Sequence, residues 1–120
     1  MPSPQKQKGN RLEYEVAKFY QRKLDKDARR MPTSGALDNY KSDILKRIYD
    51  GWSDECKSRA SISVYEWWEQ AVRQAGLSKP VLHIKANHKP ILTVIRIEDY
   101  FDMREELEDW RNKYDNPDKN

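Results

Sequence analysis

Apolar positions along this 120-residue chain switch between helical and strand spacing, and each switch marks an element. Leu12, Val16, Phe19, Tyr20 and Leu24 recur at helical intervals and predict a helix that Asn10 caps and that ends near Leu24 or Asp25. The residues before it, 1–9, carry Lys6 and Lys8 but no apolar pattern, and predict a mobile basic arm. Residues 29–31 predict a short strand, broken by Pro32-Thr33-Ser34-Gly35 and followed by a polar loop to about Ser42. Residues 43–48 and 52–58 read as antiparallel strands around Tyr49-Asp50-Gly51.

Ser63-Val64-Tyr65-Glu66 has the capping-box pattern and opens a second helix with Val64, Trp67, Trp68, Ala71, Val72 and Ala75 on its apolar face. Gly76 ends it. Residues 80–85 and 91–97 predict another hairpin, turning at Asn87-His88-Lys89-Pro90. From Glu98 to about Lys113 a last, acidic helix carries Tyr100, Phe101, Met103, Leu107 and Trp110, and residues 116–120 predict a frayed end. Helix, three strands, helix, two strands, helix: this order predicts an α/β domain over residues 10–115, a mixed sheet of about five strands flanked by helices.

Composition narrows the classes. Apolar residues make up 37% and charged residues 36%, so the core is modest and the surface heavily charged. No run approaches the ~20 apolar residues that a membrane-spanning helix needs, and no apolar leader follows the start, so the expected location is the cytoplasm, with no membrane partner. One cysteine, Cys56, excludes an intramolecular disulfide or a cysteine zinc cluster, and reads as a small buried hydrophobe. His83 and His88 have no obvious triad partner. The net charge of +3 is unevenly spread: residues 1–35 carry +5, residues 36–97 carry +3 and residues 98–120 carry −5. A basic front suits a chain that meets a polyanion on one side, and equally a solvated, ion-paired surface.

Glu55-Cys56-Lys57 carries the chemistry. On a strand, Glu55 and Lys57 share one face while Cys56 turns to the other. Alone, an acid and a lysine at this spacing are more often a weak surface pair. Two further acids change the balance. Asp43, across the turn, can join Glu55. On the first helix, Glu13 lies ~100° round from Leu12, inside the apolar stripe, whereas Glu15 at ~300° faces water. Glu13 is also the third residue after the Asn10 cap, which is its competing structural role. Two carboxylates ~4 Å apart repel by roughly 4 kcal/mol at an effective dielectric of ~20. Three together call for a cation, and oxygen-only ligands favour magnesium or manganese. Such an ion would activate water for attack on a phosphodiester, with Lys57 stabilising the developing charge.

Lys8-Gly9-Asn10-Arg11-Leu12-Glu13, Arg30-Met31-Pro32-Thr33-Ser34-Gly35-Ala36, Asp43, Glu55-Cys56-Lys57 and Gln70 together resemble the PD-(D/E)xK nuclease superfamily, and most closely the Holliday junction resolvases of archaea and their phage-encoded relatives. The resemblance spans about residues 8–101. It implies a restriction-endonuclease-like fold, a homodimer, and magnesium-dependent cutting of branched DNA, with manganese able to substitute. By the same resemblance Glu13, Asp43 and Glu55 are the metal ligands, Lys57 is the paired lysine, Ser34 assists at the scissile phosphate and Gln70 lies beside the site. Ser42 departs from the pattern, standing where the family usually has proline.

Lys6, Lys8, Arg11, Arg29 and Arg30, with Lys85 and Lys89 on the later hairpin, are candidate phosphate contacts. Trp67 and Trp68 can stack on bases or fill the core, and helical spacing favours the core for at least one. Competing functions are a related nuclease acting on flaps or foreign duplex, a DNA-binding module of the same fold that does not cut, and a protein adaptor using the acidic last helix.

Overall fold

A computed structural model describes residues 3–32, 42–47 and 49–114. The first helix, α1 (Pro4–Lys23), begins about two turns earlier than the Asn10 cap predicted. Ser3 is the cap: its Oγ accepts from the Lys6 N–H at 3.1 Å, and Pro4 occupies the first helical turn, where a missing N–H costs nothing. Residues 4–9 are thus helix rather than the expected arm. Leu12, Val16 and Ala17 are its buried residues, while Phe19 is 52% and Leu24 80% exposed.

Two short strands follow. β1 (Arg29–Arg30) and β2 (Ile44–Leu45) pair antiparallel, and the Met31 N–H extends the pairing to the Asp43 carbonyl at 2.8 Å. This corrects the predicted hairpin: the 43–48 segment ladders with β1 and not with β3 (Trp52–Ser58). One backbone bond, Asp43 N–H to the Asp54 carbonyl at 2.8 Å, ties it to β3. Past Leu45 the chain is tied to β3 by the Lys46 side chain. Its ammonium, with only 2% of the side chain exposed, reaches Asp54 at 2.9 Å, Asp50 at 2.7 Å and the Trp52 carbonyl at 3.0 Å.

The remaining strands make a second sheet. β3 runs parallel to β4 (Lys79–Lys85), with α2 (Val64–Ala75) as the crossover between them, and β5 (Leu92–Val94) returns antiparallel to β4 as expected. The five strands thus lie in two sheets, ordered β1-β2 and β3-β4-β5, and the described residues form no single five-stranded sheet. At the start of α2 the capping box is altered. Ser63 makes no side-chain bond to the backbone; its hydroxyl donates to Glu66 Oε2 at 3.1 Å. Gly76 follows α2 with a φ of 58°, a left-handed conformation that glycine adopts without strain.

The pleat splits β3 and β4 between two cores. Cys56 joins Leu12, Val16, Ala17, Ala28 and Ile44 under α1. Leu82 and Ile84 pack on Ala71 of α2, with Val64, Trp67, Trp68 and Val94 around them. Both tryptophans therefore serve the core and are not free stacking platforms. The last helix, α3 (Ile97–Tyr114), buries only Asp99, in its first turn.

Asp54 is fully buried on the α1 side. It accepts from Tyr20 Oη at 2.7 Å and pairs with His83 Nε2 at 2.8 Å and with Lys46. His83, expected to lack a partner, in fact has two, since Nδ1 lies 3.0 Å from Thr93 Oγ1. Burial alone would raise the Asp54 carboxyl; His83, Lys46 and Tyr20 outweigh it and hold the pKa below the usual range. The network ties α1, β3, β4 and β5 together around one charge. Asp54→Ala takes one of two carboxylates from the buried Lys46 ammonium and leaves Tyr20 Oη and His83 Nε2 without their partner, so it is expected to cost about 3–5 kcal/mol. The check is urea unfolding, as a lower midpoint with an unchanged slope.

Candidate functional site

On the other side of Cys56 the same strand faces a cleft of about 700 Å³. Glu13 comes to it from α1, Asp43 from the residue before β2, Glu55 and Lys57 from β3, and Gln70 from α2. Glu55 and Lys57 share one strand face, as their spacing predicts, and Lys57 Nζ lies 3.6 Å from Glu55 Oε1. The helical register also holds. Glu13 is half-buried while Glu15 is exposed.

Each acid has its own tether. Asp43 Oδ2 accepts the Cys56 N–H at 2.8 Å, which fixes its carboxylate against β3. Ser42, where the family pattern has proline, holds the backbone beside it: its Oγ accepts the Asp54 N–H at 2.9 Å and the Ile44 N–H at 3.3 Å. A hydroxyl thus does by hydrogen bonding what a proline ring does by stiffness. Glu13 Oε1 takes Arg30 Nε at 3.2 Å, and Arg30 also reaches Asn10 Oδ1 at 2.9 Å. The sequence pattern made Arg30 a phosphate contact; the fold also makes it the clamp on Glu13.

Burial and crowding push all three carboxyls above their usual values. For Glu13 the causes are burial and then Asp43, opposed by Arg30. Asp43 is raised by burial, against the pull of the Cys56 N–H and Lys57. Glu55 goes furthest, pushed up to about 7 by burial and by Asp43, with Lys57 and its hydrogen bond in opposition. The acids repel one another, and the basic groups present do not neutralise them.

A stability prediction follows from the sign. A carboxyl raised in the folded state contributes stability that is complete below the unfolded value of 4.5 and is lost as pH rises through about 7. Metal-free protein is therefore expected to lose stability on the order of 3 kcal/mol between these limits. Denaturation midpoints measured across pH in chelator should show the fall, and Glu55→Gln should flatten it.

The other candidates divide. Lys6 lines the cleft, whereas Lys8 Nζ is bonded to Asn87 Oδ1 at 2.9 Å, away from the acids. Arg11 and Arg29 are exposed, and so is Lys89. Lys85 is partly buried, with Nζ 3.3 Å from the Ala86 carbonyl, and does not line the cleft. Ser34 and Gly35 lie outside the described residues. Among the cleft residues that were missed are Arg59, the residue after the end of β3, and Gln74, one turn past Gln70 on α2. Both continue a periodicity already recognised, so the signal was available. Cys56 is buried, and its thiol is pushed well up, first by burial and then by the neighbouring acids, which leaves it an inert core residue.

Among the described residues no three acidic, histidine or cysteine side chains close on one point as a finished metal site. What the cleft offers is the chemistry of the donor set: three carboxylates on separate elements, mutually repelling, with a lysine beside them. That set fits a hard divalent cation. No described helix is long and apolar enough to cross a membrane.

Over residues 4–117 the sequence matches a family described as "Phage putative PDDEXK endonuclease". It has no match among curated proteins or among solved structures.

Proposed function

The chain belongs to the phage PDDEXK endonuclease family, a nuclease family of the PD-(D/E)xK type, and on that premise we propose that it cuts branched DNA as a Holliday junction resolvase. The observation that carries the reading is the convergence of Glu13, Asp43, Glu55 and Lys57 on one cleft. A magnesium ion held by the three carboxylates, or manganese in its place, would polarise the scissile phosphodiester and supply an activated water. The protein's own groups do the rest. The Cys56 N–H holds Asp43 in place and Arg30 orients Glu13. Lys57 places positive charge beside the phosphate as it becomes most negative. Lys6 and Arg59, also on the cleft, suit the flanking phosphates. Two opposed cuts across a branch need two such clefts, which a twofold homodimer supplies.

The test is cleavage of a four-way junction beside flapped, linear and single-stranded DNA, with magnesium, manganese or chelator. Junction cutting in opposed strands, with either cation and not with chelator, is expected. Affinity should depend on shape and fall steeply with salt, by about 0.9 log units per neutralised phosphate for each tenfold rise. A short duplex motif that competes as well as the junction would replace this reading with a restriction-type nuclease. A junction bound but never cut would leave a binding module.

A further inference from the structure

α3 carries a recognition surface that nothing among the described residues covers. Every residue of this 18-residue helix except Asp99 is exposed, and the protein is drawn out to 61 Å along its long axis. Tyr100, Met103, Leu107, Trp110 and Tyr114 follow one another at intervals of three, four, three and four residues, and each is 40–57% exposed. That is the a/d spacing of a coiled-coil seam. With Tyr100, Leu107 and Tyr114 at a, the exposed residues flanking the seam are Glu106 and Lys113 at g and Arg104 and Arg111 at e.

We propose that α3 pairs in parallel with α3 of a second copy of this chain. In a parallel pair each g residue faces the e residue five positions on in the partner. Glu106 then meets the partner's Arg111, two opposite-charge contacts about the twofold. An antiparallel pair would set e against e and g against g, placing arginine on arginine.

The seam also continues into the body. Met103 lines an apolar groove of about 670 Å³ with Phe19, Leu24, Ile91 and Ile95. Two helices of ~27 Å cover less than the ~1,600 Å² typical of a stable interface. Phe19 and Leu24, exposed on the same groove as Met103, are apolar surface that a second copy would also cover. The inference deepens the homodimer of the proposed function, but it stands on residues remote from the cleft.

The experiment is sedimentation equilibrium of the full chain, with variants. Wild type is expected to be a dimer. Trp110→Glu should raise the dissociation constant at least 100-fold, with the far-UV spectrum kept, since α3 adds little to either core. Glu106→Arg and Arg111→Glu should each weaken the dimer, and the double exchange should restore it. Leu107→Cys should oxidise to a covalent dimer, while Glu105→Cys, on the outer face, should not. A monomeric wild type, a dimer indifferent to Trp110→Glu, or a double exchange that fails to rescue would overturn the pairing. If a monomer still nicks junctions one strand at a time, only the pairing fails. If a dimer with these properties cuts nothing, only the nuclease reading does.

Discussion

Asp43→Asn is expected to abolish cutting while leaving the metal-free protein at least as stable as wild type. The two halves have different causes. Asparagine keeps an oxygen where Asp43 Oδ2 accepts the Cys56 N–H at 2.8 Å, so β3 retains its hydrogen bond and no buried donor is orphaned. What goes is the charge. Asp43 is the acid that raises both Glu13 and Glu55, so its neutralisation relieves a repulsion that folding otherwise has to overcome. At pH 8 in chelator the thermal midpoint should hold or rise. Magnesium should separate the two proteins. A ligand bound only by the folded state stabilises wild type by about 2.7 kcal/mol at one hundred times its dissociation constant. The variant, short of one of three ligands, should show little of this. A gel-shift complex with junction DNA should survive, because the phosphate-facing cations are untouched. A variant that cuts normally would remove Asp43 from the site, and one that unfolds would show its role to be structural.

How far the sequence reaches is clear from particular residues. The 3.6-residue spacing located all three helices and turned Glu13 inward and Glu15 outward. The start of α1 was missed because residues 4–9 present no apolar face. Yet Ser3-Pro4, a cap followed by a proline at the first helical position, was there to be read. Strand alternation put Cys56 in the core and Glu55 with Lys57 in the cleft. It could not assign β2 a partner. β2 ladders with β1, and nothing local to residues 43–45 signals that pairing.

Long-range register was the other blind spot. Parallel pairing sets Cys56 beside His83, and so brings His83 to Asp54 from 29 residues away. Nothing local to either residue signals that contact. Two adjacent acids, Asp54 and Glu55, consequently have opposite fates. One is locked into a neutralised core network with a lowered pKa; the other is left in a crowded cleft with a raised one. The cleft's own acids show why its chemistry was partly legible from sequence: side-chain types and local periodicity specify it, and the fold has only to bring four segments to one place.

Lys57→Ala is expected to lower the rate of the cutting step by a factor of 10²–10³ in a protein that still folds and still takes up metal at saturating concentration. Its side chain is on the cleft face of β3, with 16% of it exposed, so truncation opens no cavity in either core. All three carboxylates remain. Their mutual repulsion increases once the ammonium 3.6 Å from Glu55 is gone, and Glu55, already near 7, should climb further. Metal should therefore bind the variant with a stronger pH dependence, needing higher pH to displace the proton. The catalytic loss has a separate origin. An ammonium aimed at developing phosphate charge in a water-poor cleft is worth ~3–4 kcal/mol to the transition state. Lys57→Arg should recover little, since a broad planar guanidinium cannot stand in for a compact charge beside Glu55. Single-turnover nicking of a bound junction at saturating metal, with melting curves and a metal titration across pH, separates the two effects. If Lys57→Ala cuts at the wild-type rate, the acid and lysine of β3 are a surface ion pair, and the positive charge at the scissile phosphate must come from Arg30 or Arg59.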